Sequence, residues 1–191
     1  MKRSSRAATA PGSSTPAASK RHETHPRSAP SLKQRHSSRS PDLIVYIDGA
    51  SRGNPGPAGV GVYVTTRDGA VEEELFRYIG ETTNNVAEYE ALLHALRRAL
   101  ELTPQSVTIY SDSELLVRQM CGKYRVKNSR LAELHACAQE LFSFFPSIRL
   151  EHVGREKNGR ADALANRAID AAHSRARGAS PVTVPAREDR P

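Results

Sequence analysis

Tryptophan is absent from the 191 residues, cysteine occurs twice, and aromatic side chains make up only 5% of the chain. The two cysteines, Cys121 and Cys137, stand in no CxxC pattern and within sequence of helical character. That excludes a disulfide framework and argues against a zinc site. No apolar run approaches ~18 residues, so nothing reads as a membrane span. The N-terminus lacks the apolar core of a secretory signal. It is rich in Arg and Ser and poor in acids, as a transit peptide is. Its proline content and lack of amphipathic spacing argue against one, and a soluble, cytoplasmic protein is expected.

Acids are also nearly missing from the first 41 residues. Nine Lys and Arg face Glu23 alone there, a net +8 that leaves −1 for the rest of a chain of net +7. The cation is the tail, and the body is close to neutral. A basic tail suits a nucleic acid or another polyanion, or is an extension with no fixed partner. Residues 1–41, built from Ser, Pro, Arg and Ala, have almost nothing to bury and are expected to be disordered, as are residues 173–191.

Between these tails, residues 42–172 read as one domain. Leu43–Asp48 is an apolar strand that ends on an acid and a Gly/Asn/Pro turn. Ala58–Thr66 and Ala70–Ile79 follow as a hairpin about Arg67-Asp68-Gly69. Asn85–Leu102 carries Leu92, Ala95, Leu96 and Ala99 at helical spacing, with Asn85 and Glu88 in capping-box form and Pro104 as the stop. Val107–Ser111 is a short fourth strand. Ser111 and Glu114 repeat the capping-box form ahead of a helix through Met120. A helix over Asn128–Phe144, a strand over Ser147–Val153, a polar loop at Gly154–Lys157 and a helix over Asn158–Ala172 complete the domain. This order implies an α/β fold, a mixed five-stranded sheet of three antiparallel strands then two parallel ones, flanked by helices.

Four acids stand at the ends or inward faces of these elements. Alternation puts Asp48 on one face with Ile44 and Tyr46. Asp112 follows the fourth strand at its carboxyl end, where open sheets place their sites. Glu88 lies on the face its helix turns inward, and Asp162 has Ala165 and Ile169 at i+3 and i+7. Singly, each has an ordinary explanation: a turn, a capping-box acid, a first-turn acid favoured by the helix dipole, a solvated helix residue. Together they form a set of inward carboxylates with no Lys or Arg obvious as a partner for all four. Uncompensated charge of that kind is costly, and a hard divalent cation relieves it.

The stretches that hold these acids are Asp48-Gly49-Ala50-Ser51-Arg52-Gly53-Asn54-Pro55-Gly56, Thr83-Asn84-Asn85-Val86-Ala87-Glu88, Tyr110-Ser111-Asp112-Ser113 and Asn158-Gly159-Arg160-Ala161-Asp162. In that order and spacing, from about Leu43 to Asp170, the chain resembles the ribonuclease H type 1 family. The resemblance implies a nuclease that cuts the RNA strand of an RNA/DNA hybrid, leaving 5′-phosphate and 3′-hydroxyl ends. Carried over position by position, Asp48, Glu88, Asp112 and Asp162 would be the catalytic, metal-binding acids, with Asp48 shared by two Mg²⁺ or substitute Mn²⁺ ions. Asn54 and Asn84 would meet the RNA sugar edge, and Thr83 and Asn128 a phosphate of the DNA strand. Lys123, Arg125, Lys127 and Arg130 would add charge beside Asn128. No small-molecule cofactor and no membrane partner are expected, and the chain is expected to be a monomer, although the sequence itself does not reveal oligomeric state.

The chain departs from the family twice. Longer members insert a basic, Trp-containing protrusion where Gly122 here leads to Asn128 within a few residues. Many members also carry a His in the loop before the last helix, where this chain has only Gly154–Lys157. His152 falls in the strand and reads as structural, so Arg155 is the expected functional stand-in. The alternatives are a non-catalytic hybrid- or duplex-binding module of the same fold, and a different nuclease, integrase-like, that shares it.

Overall fold

A computed structural model describes residues 40–178. The expected disorder of residues 1–39 and 179–191 lies outside the described residues. The chain forms β1 (Asp42–Ser51), β2 (Gly56–Thr66), β3 (Glu72–Thr82), α1 (Asn84–Glu101), β4 (Ser106–Ser111), α2 (Glu114–Met120), α3 (Ser129–Phe142), β5 (Ile148–His152) and α4 (Gly159–Gly178). A 3₁₀ turn at Arg155–Lys157 precedes α4. The strands make one sheet in the order β3-β2-β1-β4-β5. β1, β2 and β3 pair antiparallel, whereas β4 pairs parallel with β1 and with β5. This is the expected mixed sheet.

β1 shows why the sheet can serve two layers. Leu43, Val45 and Ile47 are fully buried, and α1 packs on that side with Ala91, Leu92, Ala95, Leu96 and Ala99 at helical spacing. Tyr46, on the other face, stacks between Tyr63 of β2 and Tyr110 of β4, each its register partner. α4 covers part of that second face by lying against β2. A side chain at Gly59 or Gly61 would overlap the backbone of Ala165 or Ala161, so two glycines let the helix rest directly on the strand.

Several boundaries differ from the sequence expectation. β1 runs on through Gly49 to Ser51, held by β2, so Asp48 is not in a turn. β3 begins at Glu72 and continues past Ile79, absorbing Gly80 at φ +84° beside a register shift at Ala58/Gly59. Neither expected capping box forms. α1 is capped by Thr83, whose hydroxyl accepts the Val86 N–H at 3.4 Å, and α2 by Ser113, which accepts the Leu116 N–H at 3.4 Å. Ser111 is unavailable as a cap because its backbone is paired into the sheet and its side chain is buried. α3 ends at Phe142, two residues early, and β5 spans Ile148–His152. α4 continues beyond Ala172 to Gly178, so 173–178 belong to the helix.

Candidate active site

The acids are brought together by three local arrangements. Parallel pairing of β1 with β4 stops at Ile47 and Ser111, so Asp48 and Asp112 emerge side by side just past the last paired residues. Gly49 brings in the third. A side chain there would overlap the Ala87 carbonyl and the Glu88 amide, so its absence lets α1 press against β1. Glu88 thereby reaches Asp48, with the Gly49 N–H close enough to its carboxylate to favour the charged form. Lying beyond the first turn of a helix capped by Thr83, Glu88 has no capping role. Asp112 precedes the cap Ser113 and is not a first-turn acid of α2.

Carboxylate oxygens of Asp48, Glu88 and Asp112 lie within 4.8 Å of one another. Asp48 and Glu88 are 6% and 5% exposed. Asp162 lies beside the buried stripe of α4, one of the two placements its spacing allowed. It is exposed, one position round α4 from the buried Ala161, and stands outside the three-acid cluster. It nevertheless lines the same cleft of about 370 Å³, together with Asn84 and Arg155. Asn166, one turn along α4, donates to the Asp162 carbonyl at 3.0 Å and to its carboxylate at 3.2 Å.

Burial, and after it the crowding of like charge, shows in the titration of Asp48 and Glu88. Burial pushes the Asp48 carboxyl up to about 7, with further upward pressure from Asp112 and Asp162, while Arg155 opposes the rise. Burial also drives Glu88 well above the ordinary carboxylate range, reinforced by Asp48 and Asp112 and opposed by Gly49 N–H and Arg155. The neutralising side chains are few. Among the described residues, the one ion pair to these four acids is Arg155 Nε to Asp112 Oδ2 at 3.4 Å, and Arg155 is 94% exposed. Glu88 Oε2 is buried with no hydrogen-bond partner. An all-oxygen donor set with an unsatisfied buried oxygen and surplus negative charge fits a hard divalent cation.

The other expected site residues divide. Asn54 Oδ1 accepts the Asn84 N–H at 3.2 Å, joining the β1–β2 loop to the start of α1 beside the cleft. Asn84 and Arg155 line the cleft; Asn54, Thr83 and Asn128 do not. Thr83 and Asn128 each spend a side-chain oxygen on capping a helix, Asn128 accepting the Leu131 N–H at 3.0 Å. Lys123, Arg125 and Lys127 are exposed, whereas Arg130 is shared between Glu133 and Glu90. His152 ends β5 as expected, but its side chain is exposed and takes no part in the core.

Asn158 is the residue the sequence did not single out for the site. It is 1% exposed, and its Nδ2 donates both to the Ile47 carbonyl at 2.9 Å and to Asp112 Oδ1 at 3.2 Å. It thus ties the start of α4 to the end of β1 and holds one carboxylate in place. An Asn directly before a helix reads locally as a cap. That its side chain turns inward depends on β1 and β4, far away in sequence.

Comparison with known proteins gives this arrangement a context. The sequence profile of the family described as reverse transcriptase-like matches residues 46–168. The bifunctional protein Rv2228c of Mycobacterium tuberculosis is 45% identical over 148 residues, 76% of this chain and 41% of its own length. The chain therefore spans well under half of that relative. The ribonuclease H of Paracidovorax citrulli is 36% identical over 150 residues, covering 70% of this chain and 98% of that one. Among solved structures, LC11-RNase H1 in complex with an RNA/DNA hybrid is 48% identical with a TM-score of 0.64, covering 69% of this chain and 99% of that one. With the profile matching most of the sequence and a whole ribonuclease H aligned to it, the chain belongs to the type 1 ribonuclease H family of enzymes.

Proposed function

We propose that this chain is a metal-dependent endoribonuclease that hydrolyses the RNA strand of an RNA/DNA hybrid and leaves 5′-phosphate and 3′-hydroxyl ends. The observation that carries the reading is the convergence of Asp48, Glu88 and Asp112 within 4.8 Å, with one Glu88 oxygen buried and unpartnered. LC11-RNase H1, alike in fold and sequence, is known in complex with such a hybrid.

In this reading Asp48, Glu88 and Asp112, with Asp162 at the rim, would hold two Mg²⁺ ions, for which Mn²⁺ could substitute. When bound, such ions activate water as a nucleophile and stabilise the charge developing on a phosphodiester in line with it. The chain's own residues prepare the site. Gly49 N–H and Asn158 Nδ2 fix the orientations of Glu88 and Asp112, so the donor oxygens are aimed before substrate arrives. Burial keeps competing water from Asp48 and Glu88. Arg155, exposed at the cleft and within reach of Asp112, is positioned to meet a phosphate and to swing away with product.

Strand discrimination is assigned to the joined Asn54 and Asn84, which would meet the 2′-hydroxyls in the minor groove. Thr83 and Asn128 would hold a phosphate of the DNA strand through backbone N–H groups at their helix starts. Lys123, Arg125 and Lys127 would add charge that carries no sequence information. Incubating end-labelled hybrid with the protein and Mg²⁺ should cut the RNA strand, and EDTA should stop it. Preferential cleavage of DNA/DNA or RNA/RNA duplex, or an EDTA-resistant activity, would overturn the proposal.

A further inference from the structure

Away from the acid cleft, the second half of α4 overhangs the edge strand β3 and leaves an open groove of about 510 Å³. Phe76 and Tyr78 of β3 share one face by alternation, and both line the groove at 38% and 39% exposure. Arg77 and Arg175 line it too, and the Arg167 guanidinium lies 4.4 Å over the centre of the Phe76 ring. Among the described residues none of these three arginines has a carboxylate partner. Neighbouring acids of β3 are already engaged: Glu72 and Glu74 by Arg160, and Glu73 by Arg98.

We infer that this groove is a second nucleic-acid site, one that takes single-stranded RNA or DNA. Two exposed rings amid three unmatched arginines supply what an unpaired strand needs, a face for its bases and charge for its phosphates. A base stacks on the free Tyr78 ring or on the plane of Arg167, which already lies on Phe76. A duplex keeps its base faces stacked internally and cannot use the rings. An acidic peptide would match the arginines and leave the rings unused. Arg167 and Arg175 are eight residues apart on one helix, about 12 Å, so they contact separate phosphates of one strand.

The groove permits a local test because the chain contains no Trp. Tyr78→Trp puts the protein's sole indole at the site, where a stacking base quenches its emission. Titrating the full-length variant with (dT)₁₂ and (rU)₁₂ should give saturable quenching. Adding Arg167→Glu and Arg175→Glu should weaken the quenching at least tenfold and lower the salt slope by about 1.4, the loss of two phosphate contacts. Cleavage of a short blunt hybrid should stay within about twofold, which separates failure of this site from failure of the cleft. A melting curve checks that the triple variant is folded. Absence of quenching overturns the proposal, whether because a second copy or residues 179–191 cover the ring or because strands bind elsewhere. Quenching that survives the charge reversals, or that an acidic peptide produces and the oligonucleotides do not, overturns it as well.

Discussion

Helix α4 joins two clusters of opposite charge that are built on different physics. Its first turn lends Asp162 to a cleft whose other acids are buried or, for Asp112, half-buried, within 4.8 Å of one another and poorly neutralised. Farther along, it lends Arg167, over the Phe76 ring, and Arg175 to an open groove where the cations are exposed to water. Buried like charges cannot be hydrated, so the cleft must take up protons or cations to be stable. Exposed arginines are hydrated already and require no ligand. Binding in the groove is therefore weak and salt-sensitive by construction, whereas the cleft is obligatory in its demand for a counter-ion. Perturbing the cleft should have large consequences, and perturbing the groove modest ones.

The sharpest way to break this contrast is Asp48→Asn. The substitution keeps shape and removes the most central anion of the cleft. Hybrid cleavage should fall at least 100-fold while hybrid affinity, measured by anisotropy without metal, holds or improves. A variant with near wild-type turnover would remove the cleft from the reaction altogether. Next in size is Asn158→Ala, which deprives the Ile47 carbonyl and Asp112 of one shared donor. Loss of a buried donor costs about 1–3 kcal/mol of stability. Turnover should drop about tenfold or more, with little change in KM, because Asp112 loses its support. Equal kcat with lowered melting temperature would make Asn158 a structural residue only.

Proton and metal uptake can be set against each other in a melting experiment. The folded Asp48 carboxyl, pushed up to about 7, binds its proton more tightly than the same group in the unfolded chain at about 3.8. The folded state therefore holds more protons between those values, and stability falls as pH rises from about 4 to 7. Glu88 is raised as well and adds in the same direction. The acids held below their ordinary range by partners, Glu73 through Arg98 and Asp170 through Arg52, lose their contribution only as pH falls below about 4. Between pH 5.5 and 8 the metal-free protein should thus melt lower at the higher pH. Mg²⁺ should raise the melting temperature more at pH 8 than at pH 5.5. A flat profile, or equal stabilisation by Mg²⁺ at both values, would show that burial and like charge do not raise these carboxylates as argued.

How much of this was legible in the sequence differs between the two clusters. The strand order and three of the four inward acids follow from short-range pattern: alternation along Leu43–Asp48, a helical stripe after Glu88, an acid directly after Val107–Ser111. The cap positions were legible only to within two residues. Thr83, Asn84 and Asn85 are all good caps, as are Ser111 and Ser113, and the choice is made by where the sheet ends. Spacing put Asp162 on or beside a buried stripe, and a single residue round the helix from Ala161 is what sets it at the rim. The same stripe, Ala161, Leu164, Ala165, Ala168 and Ile169, is buried as expected. Asn158 and the groove were not legible at all. Each depends on segments about 90 to 110 residues apart being brought together, and no local pattern encodes that.

Arg160 supplies the smallest and most discriminating prediction, because it sits in the first turn of α4, outside the groove. It resembles Arg167 in residue type, exposure and stacking, lying 3.8 Å over the centre of the Tyr63 ring. It differs in being matched, with Nε on Glu74 at 2.7 Å and Nη1 on Glu72 at 2.9 Å. If the groove binds strands merely because α4 is rich in arginine, Arg160→Gln should weaken (dT)₁₂ as much as Arg167→Gln does. If unmatched charge beside exposed rings is what counts, Arg160→Gln should change the affinity less than about twofold. Arg167→Gln should then cost several-fold at low salt, and the gap between the two should close as salt rises. Equal losses from both would dissolve the distinction between a built groove and a generally basic helix, and that outcome is readable in one salt series.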